Sequence, residues 1–445
     1  MTSSHRVTRY VAVAALAALI TGFQYGFTLA IIAGAEPFLT AQFQLSTWQL
    51  GLVVSNLSLG AAVGALLAGP LSDRLGRRKV LVATALVFLV SAVLSAAANN
   101  IAILLVSRSL AGLAVGAAMI IPLYVAEISP AKSRGLLVSL VQIGIVTGIL
   151  AAFYTGWKSA DLGSESWRWM FGMGVPSALL MLVAMFVLPE SPRWLITRGN
   201  TQEAMRVLAP EMGESEASNE LRSIEEAVKL ESARWQDLFH RKIRWALITG
   251  LVLAVLSVTV GINAVILYLP KILMKGSGED VSTALLGAVV LGCVNFAFSL
   301  LAMLTIDKLG RKPLLLCGLA GMGISMLVLG FRLSDSTLPA SSGLLAPILS
   351  FVAFYAVSLG PIIWVIVSEI FPTKIRGAGM AMCMVIMYVA DFAVTFAFPM
   401  MMERLGNGVF YVFAGICIAG ILFVLPFVPE TKGKSLEEIE TMWSR

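Results

Sequence analysis

The sequence predicts an all-α integral membrane protein with 12 transmembrane helices in two six-helix bundles. Three observations support this prediction. Of the 445 residues, 58% are hydrophobic and only 13% are charged; twelve long apolar windows recur along the chain; and short charged motifs of the first half return in the second. Soluble domains contain about 25% charged residues. In spite of a net charge of +6, this composition excludes a disordered chain, a fibrous protein and a nucleic-acid-binding protein.

The apolar windows define the helices in order. A helix needs about 20 mostly apolar residues to cross roughly 30 Å of hydrocarbon, where no water can satisfy unpaired backbone groups. Alternate connections carry 25 Lys and Arg residues on the side of the amino terminus and six on the other. Because cytoplasmic connections are rich in Lys and Arg, both termini of this multi-pass protein are predicted to lie on the cytoplasmic side of the cell membrane. The windows are 10–35, 47–71, 80–98, 101–126, 136–157, 167–188, 244–270, 282–306, 313–331, 345–369, 378–403 and 407–428.

One long polar connection divides the chain. Around residues 218–234, acids and bases recur at helical spacing, which indicates short amphipathic helices on the membrane surface. We interpret this connection as a linker between two bundles, and a binding module is the alternative. The predicted organisation is an amino-terminal bundle (1–193), a cytoplasmic linker (194–243), a carboxy-terminal bundle (244–428) and a cytoplasmic tail (429–445).

Charged motifs follow the second, fourth and sixth window of each half. DRLGRRK at 73–79 returns as DKLGRKP at 307–313, EISPAKSRG at 127–135 as EIFPTKIRG at 369–377, and PESPR at 189–193 as PETKG at 429–433. Helix capping and topology explain single charges but not the duplication. We predict a charge-pair network that closes the cytoplasmic side in one state, because one exposed pair contributes only about 0 to 1 kcal/mol. Its predicted members are Asp73, Arg77, Glu127, Arg134, Glu190, Arg193, Asp307, Arg311, Glu369, Arg376 and Glu430.

With these motifs, the chain resembles the sugar porter family of the major facilitator superfamily over essentially its whole length. The most specific strings are PESPRWL (189–195), GPIIWVIVSEIFPTKIRG (360–377) and PETKGKSLEEIE (429–440). The resemblance implies two parallel six-helix repeats that alternate around a central site. It implies a secondary transporter, not an enzyme, that moves a monosaccharide or sugar-like polyol with or without a proton. A carrier of a less polar metabolite or drug, and a non-transporting receptor of this fold, are the alternatives.

The resemblance also indicates sugar-binding residues. Gln142, Asn263, Asn295 and Trp364 stand where the family pattern has sugar-contacting Gln, Asn, Asn and Trp. Amides that both donate and accept hydrogen bonds suit a polyol. The alternative for a lone intramembrane amide is a contact between helices.

Other positions depart from the family pattern. Ser257, Val258 and Ile149 replace glutamines, and Met387 and Tyr388 replace a polar pair in the eleventh window. The predicted pocket is therefore more apolar than that of a typical hexose carrier. Tyr388 is kept as a candidate substrate contact.

Proton coupling is the second departure. Proton-driven members of the family resemble Gly-Tyr-Asp in the first helix, with the Asp working against an Arg in the fourth. Here Thr28 takes the place of that Asp and cannot titrate, while Arg108 remains. This makes facilitated diffusion an alternative to proton coupling.

An unexpected acid, Asp391, lies thirteen residues into the eleventh window. An acid near the bilayer centre is costly and is a functional candidate. Three interpretations are open: a substituted proton site, a contact to substrate hydroxyls or to a cationic group, and a structural partner of Arg108 or of backbone groups. Glu36, at the outer end of the first window, is predicted to be interfacial.

No cofactor or metal is expected. The four cysteines lie singly in apolar stretches, the two histidines lie in polar segments, and no phosphate-binding GxxxxGK[ST] string supports ATP-driven pumping. The expected partners are the solute, protons and the lipid bilayer, without nucleic acid. A monomer is expected.

Overall fold

The computed structural model describes residues 9–129, 134–230, 238–240, 243–278, 280–334, 343–372, 375–434 and 438 of the chain. The described residues are almost entirely helical and include no β-strand. A short 3-10 helix lies at Ala160–Leu162. The α-helices are α1 (Arg9–Phe43), α2 (Thr47–Leu75), α3 (Arg77–Ala97), α4 (Ile101–Ala118), α5 (Ile120–Ile128), α6 (Arg134–Ser159), α7 (Ser166–Gly172), α8 (Gly174–Val187), α9 (Pro192–Thr197), α10 (Thr201–Met212), α11 (Glu214–Leu230), α12 (Arg244–Thr259), α13 (Ile262–Ser277), α14 (Val281–Leu309), α15 (Arg311–Ser334), α16 (Leu345–Val357), α17 (Leu359–Ile370), α18 (Arg376–Leu405) and α19 (Gly408–Phe427).

Within this part of the chain, twelve segments are long and apolar enough to cross a membrane, as the sequence predicts. Several of these segments extend beyond the apolar windows, because a helix continues into polar surroundings after the hydrocarbon ends. We number them spans 1 to 12: Ala12–Phe43, Thr47–Leu75, Arg77–Ala97, Ile101–Ile128, Gly135–Leu162, Ser166–Val187, Arg244–Gly276, Val281–Ile306, Arg311–Ser334, Leu345–Ile370, Arg376–Leu405 and Gly408–Phe427.

Close packing within the first half depends on glycine. A Cβ atom at Gly60 or Gly64 of span 2 would run into the backbone of span 4, and one at Gly112 or Gly116 of span 4 would run into the backbone of span 2. Small residues spaced four apart allow such close approach of helices in membranes. Glycines of spans 1 and 5 meet in the same way. Each pair therefore packs backbone against backbone.

Two helix breaks shape the centre of the second half. Span 7 breaks at Gly261, whose φ of +92° is in the left-handed region, and a Cβ there would lie 2.7 Å from the ring of Phe413. Glycine alone adopts this conformation readily. The break places Asn263 in the first turn of α13. Span 10 breaks at Ser358, between α16 and α17.

The halves meet along two pairs of spans: span 2 packs on span 11, and span 5 packs on span 8. Span 1 also contacts span 7. In the segment of the chain that connects the two halves, α9, α10 and α11 pack around a small apolar cluster that includes Leu195, Leu208 and Leu221. The adjoining residues 231–237 and 241–242 lie outside the described part of the chain. Helices of both halves thus surround the centre of the molecule.

Candidate functional site

Asp391 of span 11 lies where helices of both halves meet. Only 4% of its surface is exposed. Its Oδ1 accepts a hydrogen bond from the side-chain amide of Asn263 on span 7 at 2.8 Å. Its Oδ2 accepts one from the hydroxyl of Ser58 on span 2 at 2.6 Å. Since span 2 belongs to the first half and spans 7 and 11 to the second, this one carboxyl group joins the two halves.

Three tyrosines surround this carboxyl group. The hydroxyls of Tyr25 on span 1 and Tyr388 on span 11 lie 3.5 Å apart. Both interact electrostatically with Asp391, and so does Tyr355 of span 10. Sequence reasoning named Tyr388 but missed Tyr25, Tyr355 and Ser58. In the sequence, each of these three is only a polar side chain within an apolar window. Helix packing is what brings them close together.

The other predicted sugar-binding residues lie on three further spans. Gln142 on span 5 and Trp364 on span 10 are half-buried, and Asn295 on span 8 is buried. Among the described contacts, none of the three forms a hydrogen bond with Asp391 or Asn263. The structure thus brings Asn263 and Asp391 together. The sugar-binding roles of all these residues stay predictions.

Arg108 of span 4 lies apart from Asp391. It is 1% exposed, and its Nη1 donates to the backbone carbonyl of Thr28 on span 1 at 3.0 Å. Its Nε and Nη2 have no hydrogen-bond partner among the described protein atoms. The Thr28 hydroxyl accepts from the amide of Gln24 at 3.3 Å. Thr28 and Arg108, the two residues of the first half that are predicted for coupling, therefore contact each other. In this conformation Asp391 is hydrogen-bonded to Asn263 and Ser58 and not to Arg108.

The charged motifs of the first half come together at the end where spans 2, 4 and 6 finish. Arg77 Nη1 lies 2.8 Å from Asp73 Oδ1. The Nε and Nη2 atoms of Arg77 each donate to one oxygen of Glu127 at 3.3 Å, a two-point contact that suits a guanidinium. Glu190 accepts from the backbone N–H of Arg78 at 3.1 Å, in the first turn of span 3. An acid at this position also interacts favourably with the helix dipole.

The second half repeats this geometry. Arg311 Nη2 lies 3.3 Å from Glu369 Oε1. Glu430 accepts from the backbone N–H groups of Arg311 and Lys312 at 3.1 and 3.0 Å, in the first turn of span 9. Burial of Glu430 opposes its ionisation, but the backbone N–H groups of Lys432, Arg311 and Lys312 outweigh burial and hold the pKa of its carboxyl below the ordinary value. The repeat in sequence is thus also a repeat of contacts.

The described contacts of these motifs join helices of the same half. Arg193 interacts electrostatically with Glu127, and Arg376 Nε donates to the backbone carbonyl of Phe371 at 3.4 Å. The side chains of Arg134 and Asp307 lie outside the described residues. A charge network that closes the cytoplasmic side across the two halves therefore stays a prediction.

At the outer end, an ion pair crosses between the halves. Glu36 of span 1 is 4% exposed, and its Oε1 lies 3.6 Å from Lys271 Nζ on span 7 and accepts from the hydroxyl of Thr40 at 3.2 Å. The prediction that Glu36 is interfacial concerns its depth in the membrane and stays a prediction. The apolar window ended at residue 35, but the helix continues to Phe43, and Glu36 contacts the second half through Lys271.

An outer cavity of about 230 Å³ borders this ion pair. Residues of spans 2, 7 and 11 line it, among them Thr47, Tyr268, Lys271, Lys275 and Glu403. The cavity is thus separate from the buried carboxyl group of Asp391.

Known proteins resemble the chain from one end to the other. The family described as Sugar (and other) transporter matches residues 13–443. The chain belongs to this sugar transporter family. It is 37% identical to the glucose transporter GlcP of Staphylococcus epidermidis over 423 residues, which cover 94% of each protein. It is 38% identical to the galactose-proton symporter of Escherichia coli K12 over 430 residues, which cover 95% of this chain and 92% of the relative.

The solved structures agree with the sugar transporter assignment. The inward-open conformation of the xylose transporter XylE from E. coli superposes with a TM-score of 0.85 at 31% identity, covering 98% of this chain and all of the other. This sugar transporter is therefore a multi-pass membrane protein of the major facilitator fold, and it is a carrier instead of an enzyme.

Proposed function

We propose that this sugar transporter moves a monosaccharide together with a proton by alternating access, and that Asp391 takes the proton. The observation that supports this proposal most strongly is the contact between the buried carboxyl group and Asn263. Asn263 is the predicted sugar ligand, so one hydrogen bond connects the titratable group to the substrate site. The family relatives support the substrate class and the coupling, since one is named a glucose transporter and another a galactose-proton symporter.

The protonation of Asp391 has a physical reason. The polar side chains that act on the carboxyl group, Asn263, Ser58 and Thr395, are all neutral. A carboxylate at the bilayer centre costs about 2.5 to 3.5 kcal/mol on insertion scales. Binding a proton removes that cost. Thr28, in contrast, has no titratable group, so the first half offers no substitute at the position of the family's usual acid.

Proton and sugar are linked because they share Asn263. While Asp391 is ionised, it accepts hydrogen bonds from Asn263 and Ser58 and holds both. Protonation turns one oxygen into a donor and reduces the capacity to accept. The Asn263 amide then becomes available for a sugar hydroxyl. Sugar binding thus favours protonation and protonation favours sugar binding by the same factor, as linkage requires.

The conformation and orientation are part of this proposal. The outer ion pair between Glu36 and Lys271 closes the outer end, and the solved structure with a TM-score of 0.85 is named inward-open. We therefore assign this conformation as inward-facing. The distribution of Lys and Arg puts both termini in the cytoplasm. A single chain holds both halves of the site, which favours a monomer as the transporting unit.

The test is uptake of labelled glucose, galactose, xylose and arabinose into proteoliposomes with and without an inward proton gradient. The wild type should accumulate at least one of these sugars above equilibrium when the gradient is present. Asp391→Asn should reach equilibrium only, while Asp161→Asn, which changes an exposed acid at the outer end of span 5, should behave as wild type.

Three other results would count against the proposal. Wild-type uptake that ignores the gradient indicates a uniporter. Accumulation that persists in Asp391→Asn assigns the proton to another group. Uptake of none of these sugars favours a carrier of a less polar metabolite.

A further inference from the structure

The carboxyl group of Asp391 lacks a basic partner in the described part of the chain. Its polar partners are one amide and two hydroxyls, those of Asn263, Ser58 and Thr395. Among the described residues, no Lys, Arg or His acts electrostatically on it. The buried base of the neighbouring half, Arg108, is bound to the Thr28 carbonyl instead. A buried charge is costly unless it is paired, so Asp391 requires a positive charge from outside the protein.

The surroundings of Asp391 suit an organic cation. Tyr25 and Tyr388 bring their hydroxyls within 3.5 Å of each other beside the carboxyl group, and Tyr355 lies within electrostatic range of it. Tyrosine hydroxyls accept hydrogen bonds as a carboxylate does, so together they suit an ammonium group, which only donates. A site built only for neutral hydroxyls has no need of the negative charge.

The carboxyl group retains capacity for such a ligand. An ionised carboxylate offers about four lone-pair positions, and the side chains of Ser58, Asn263 and Thr395 use at most three of them. An ammonium group carries three donors. Hydrogen bonds between an ammonium and a carboxylate are roughly twice as strong as those between neutral groups.

We infer that the central site selects protonated amino sugars, whose ammonium group binds the Asp391 carboxylate in the place that a proton occupies when the sugar is neutral. This inference rests on the proposed function, because it uses the same central site. It makes Asp391 the residue that determines specificity, because its charge distinguishes an amino sugar from a neutral sugar. A neutral sugar then crosses with a proton, whereas an amino sugar supplies the charge itself.

The experiment compares glucosamine, glucose and N-acetylglucosamine as ligands and as transported substrates of the purified protein in proteoliposomes. N-acetylglucosamine keeps the nitrogen but has no positive charge, so it is the matched ligand control. Wild type should bind glucosamine at least about tenfold more tightly than either neutral sugar, as expected for hydrogen bonds to a charged group. Glucosamine uptake should proceed without proton uptake.

Two variants separate charge from shape. Asp391→Asn should lose the preference, so that the ratio of glucosamine affinity to glucose affinity falls from about tenfold to about one. Asp391→Glu keeps the charge and should keep the preference. If Asp391→Asn does not fold, the wild-type selectivity and the Asp391→Glu variant still decide the question.

The outcomes distinguish this inference from the proposed function. Wild type that carries neutral sugars with protons, but binds glucosamine no better than glucose, overturns the inference and leaves the proposed function intact. Glucosamine preference without any proton-driven uptake of neutral sugars overturns proton coupling and supports the inference. A preference for glucosamine that persists in a folded Asp391→Asn protein also contradicts the inference, because the selecting charge has been removed.

Discussion

Two buried ionisable side chains in the interior of this transporter have opposite charges and lie in different halves. Span 4 contributes a base, Arg108, whose described partner is the Thr28 carbonyl. Span 11 contributes an acid, Asp391, whose described partners are the neutral side chains of Asn263 and Ser58. In proton-driven members of the family, the resemblance implies an acid and a base together in the first half. Here the base has stayed in the first half and the acid lies in the second.

This difference indicates which of the two sites can couple sugar transport to proton binding. Arginine stays charged at any physiological pH, so the site around Arg108 cannot change its charge. Asp391 can titrate, and it touches Asn263, a predicted sugar ligand. In the proposed mechanism, proton and sugar therefore meet at one hydrogen bond in the second half. Coupling is then direct and does not need a signal between helices of the first half.

The largest expected effect comes from placing an acid at position 28 of the first half in a variant that lacks Asp391. Asp391→Asn should abolish accumulation, and adding Thr28→Asp to that variant should restore it, because the new carboxylate lies beside Arg108. One pH unit is worth 1.36 kcal/mol per proton, so the restored ratio of internal to external sugar should approach about tenfold per unit of gradient. The measurement is uptake of a neutral sugar. A double variant that only equilibrates contradicts the idea that the two sites are interchangeable.

Asn263→Ala should have the next largest effect. Removing the amide leaves a buried sugar hydroxyl without its partner, which costs about 1 to 3 kcal/mol, so sugar affinity should fall by roughly five- to a hundredfold, and the pH dependence of binding should also change. Gln142→Ala, the control on span 5, should weaken affinity and leave the pH dependence unchanged. Titration calorimetry at several pH values measures both. Identical pH profiles in the two variants argue against the shared hydrogen bond.

A smaller effect is expected at the cytoplasmic end of the second half. The pKa of Glu430 is below its ordinary value, since the backbone N–H donors outweigh its burial. Its stabilisation is therefore present above the ordinary pKa and is lost as the pH falls through the lower folded value. Glu430→Gln should lower stability at neutral pH by about 0.5 to 2 kcal/mol, as for a lost helix cap.

Thermal unfolding at neutral and acidic pH measures this effect. The variant and the wild type should converge at acidic pH, where the wild-type carboxyl is protonated. Glu190→Gln gives the matched change in the first half. A constant difference between Glu430→Gln and wild type across the pH range speaks against the ionised cap.

The smallest effect is expected at the outer ion pair. Lys271 is 42% exposed in its side chain and lies 3.6 Å from Glu36 Oε1, so the pair contributes about 1 kcal/mol or less. Glu36→Gln should shift the protein toward the outward-facing state by about fivefold or less. Spin labels at Asn99 and Arg404, on outer ends of different halves, report the separation by pulsed electron resonance. Glu403→Gln is the control. An unchanged distance distribution in Glu36→Gln contradicts the prediction that the ion pair between Glu36 and Lys271 stabilises the inward-facing state.

The sequence was sufficient for the spans and for part of the site. Hydrocarbon thickness dictates apolar length, so the twelve windows could be found one by one. Asn263 was named from the family resemblance and Asp391 because an acid is costly in the membrane, and both roles stay predictions. Their mutual contact could not be predicted, because it depends on the break at Gly261 and on the packing of span 7 against span 11. Tyr25 and Tyr355 were missed for the same reason.

The central claim is that a positive charge enters with each neutral sugar at Asp391. The most direct measurement is sugar-induced proton uptake by proteoliposomes in weakly buffered medium, counted against labelled sugar, for wild type and Asp391→Asn. The account predicts about one proton per sugar in wild type, and sugar exchange without proton uptake in the variant. Proton uptake that persists in Asp391→Asn at an unchanged ratio would contradict it.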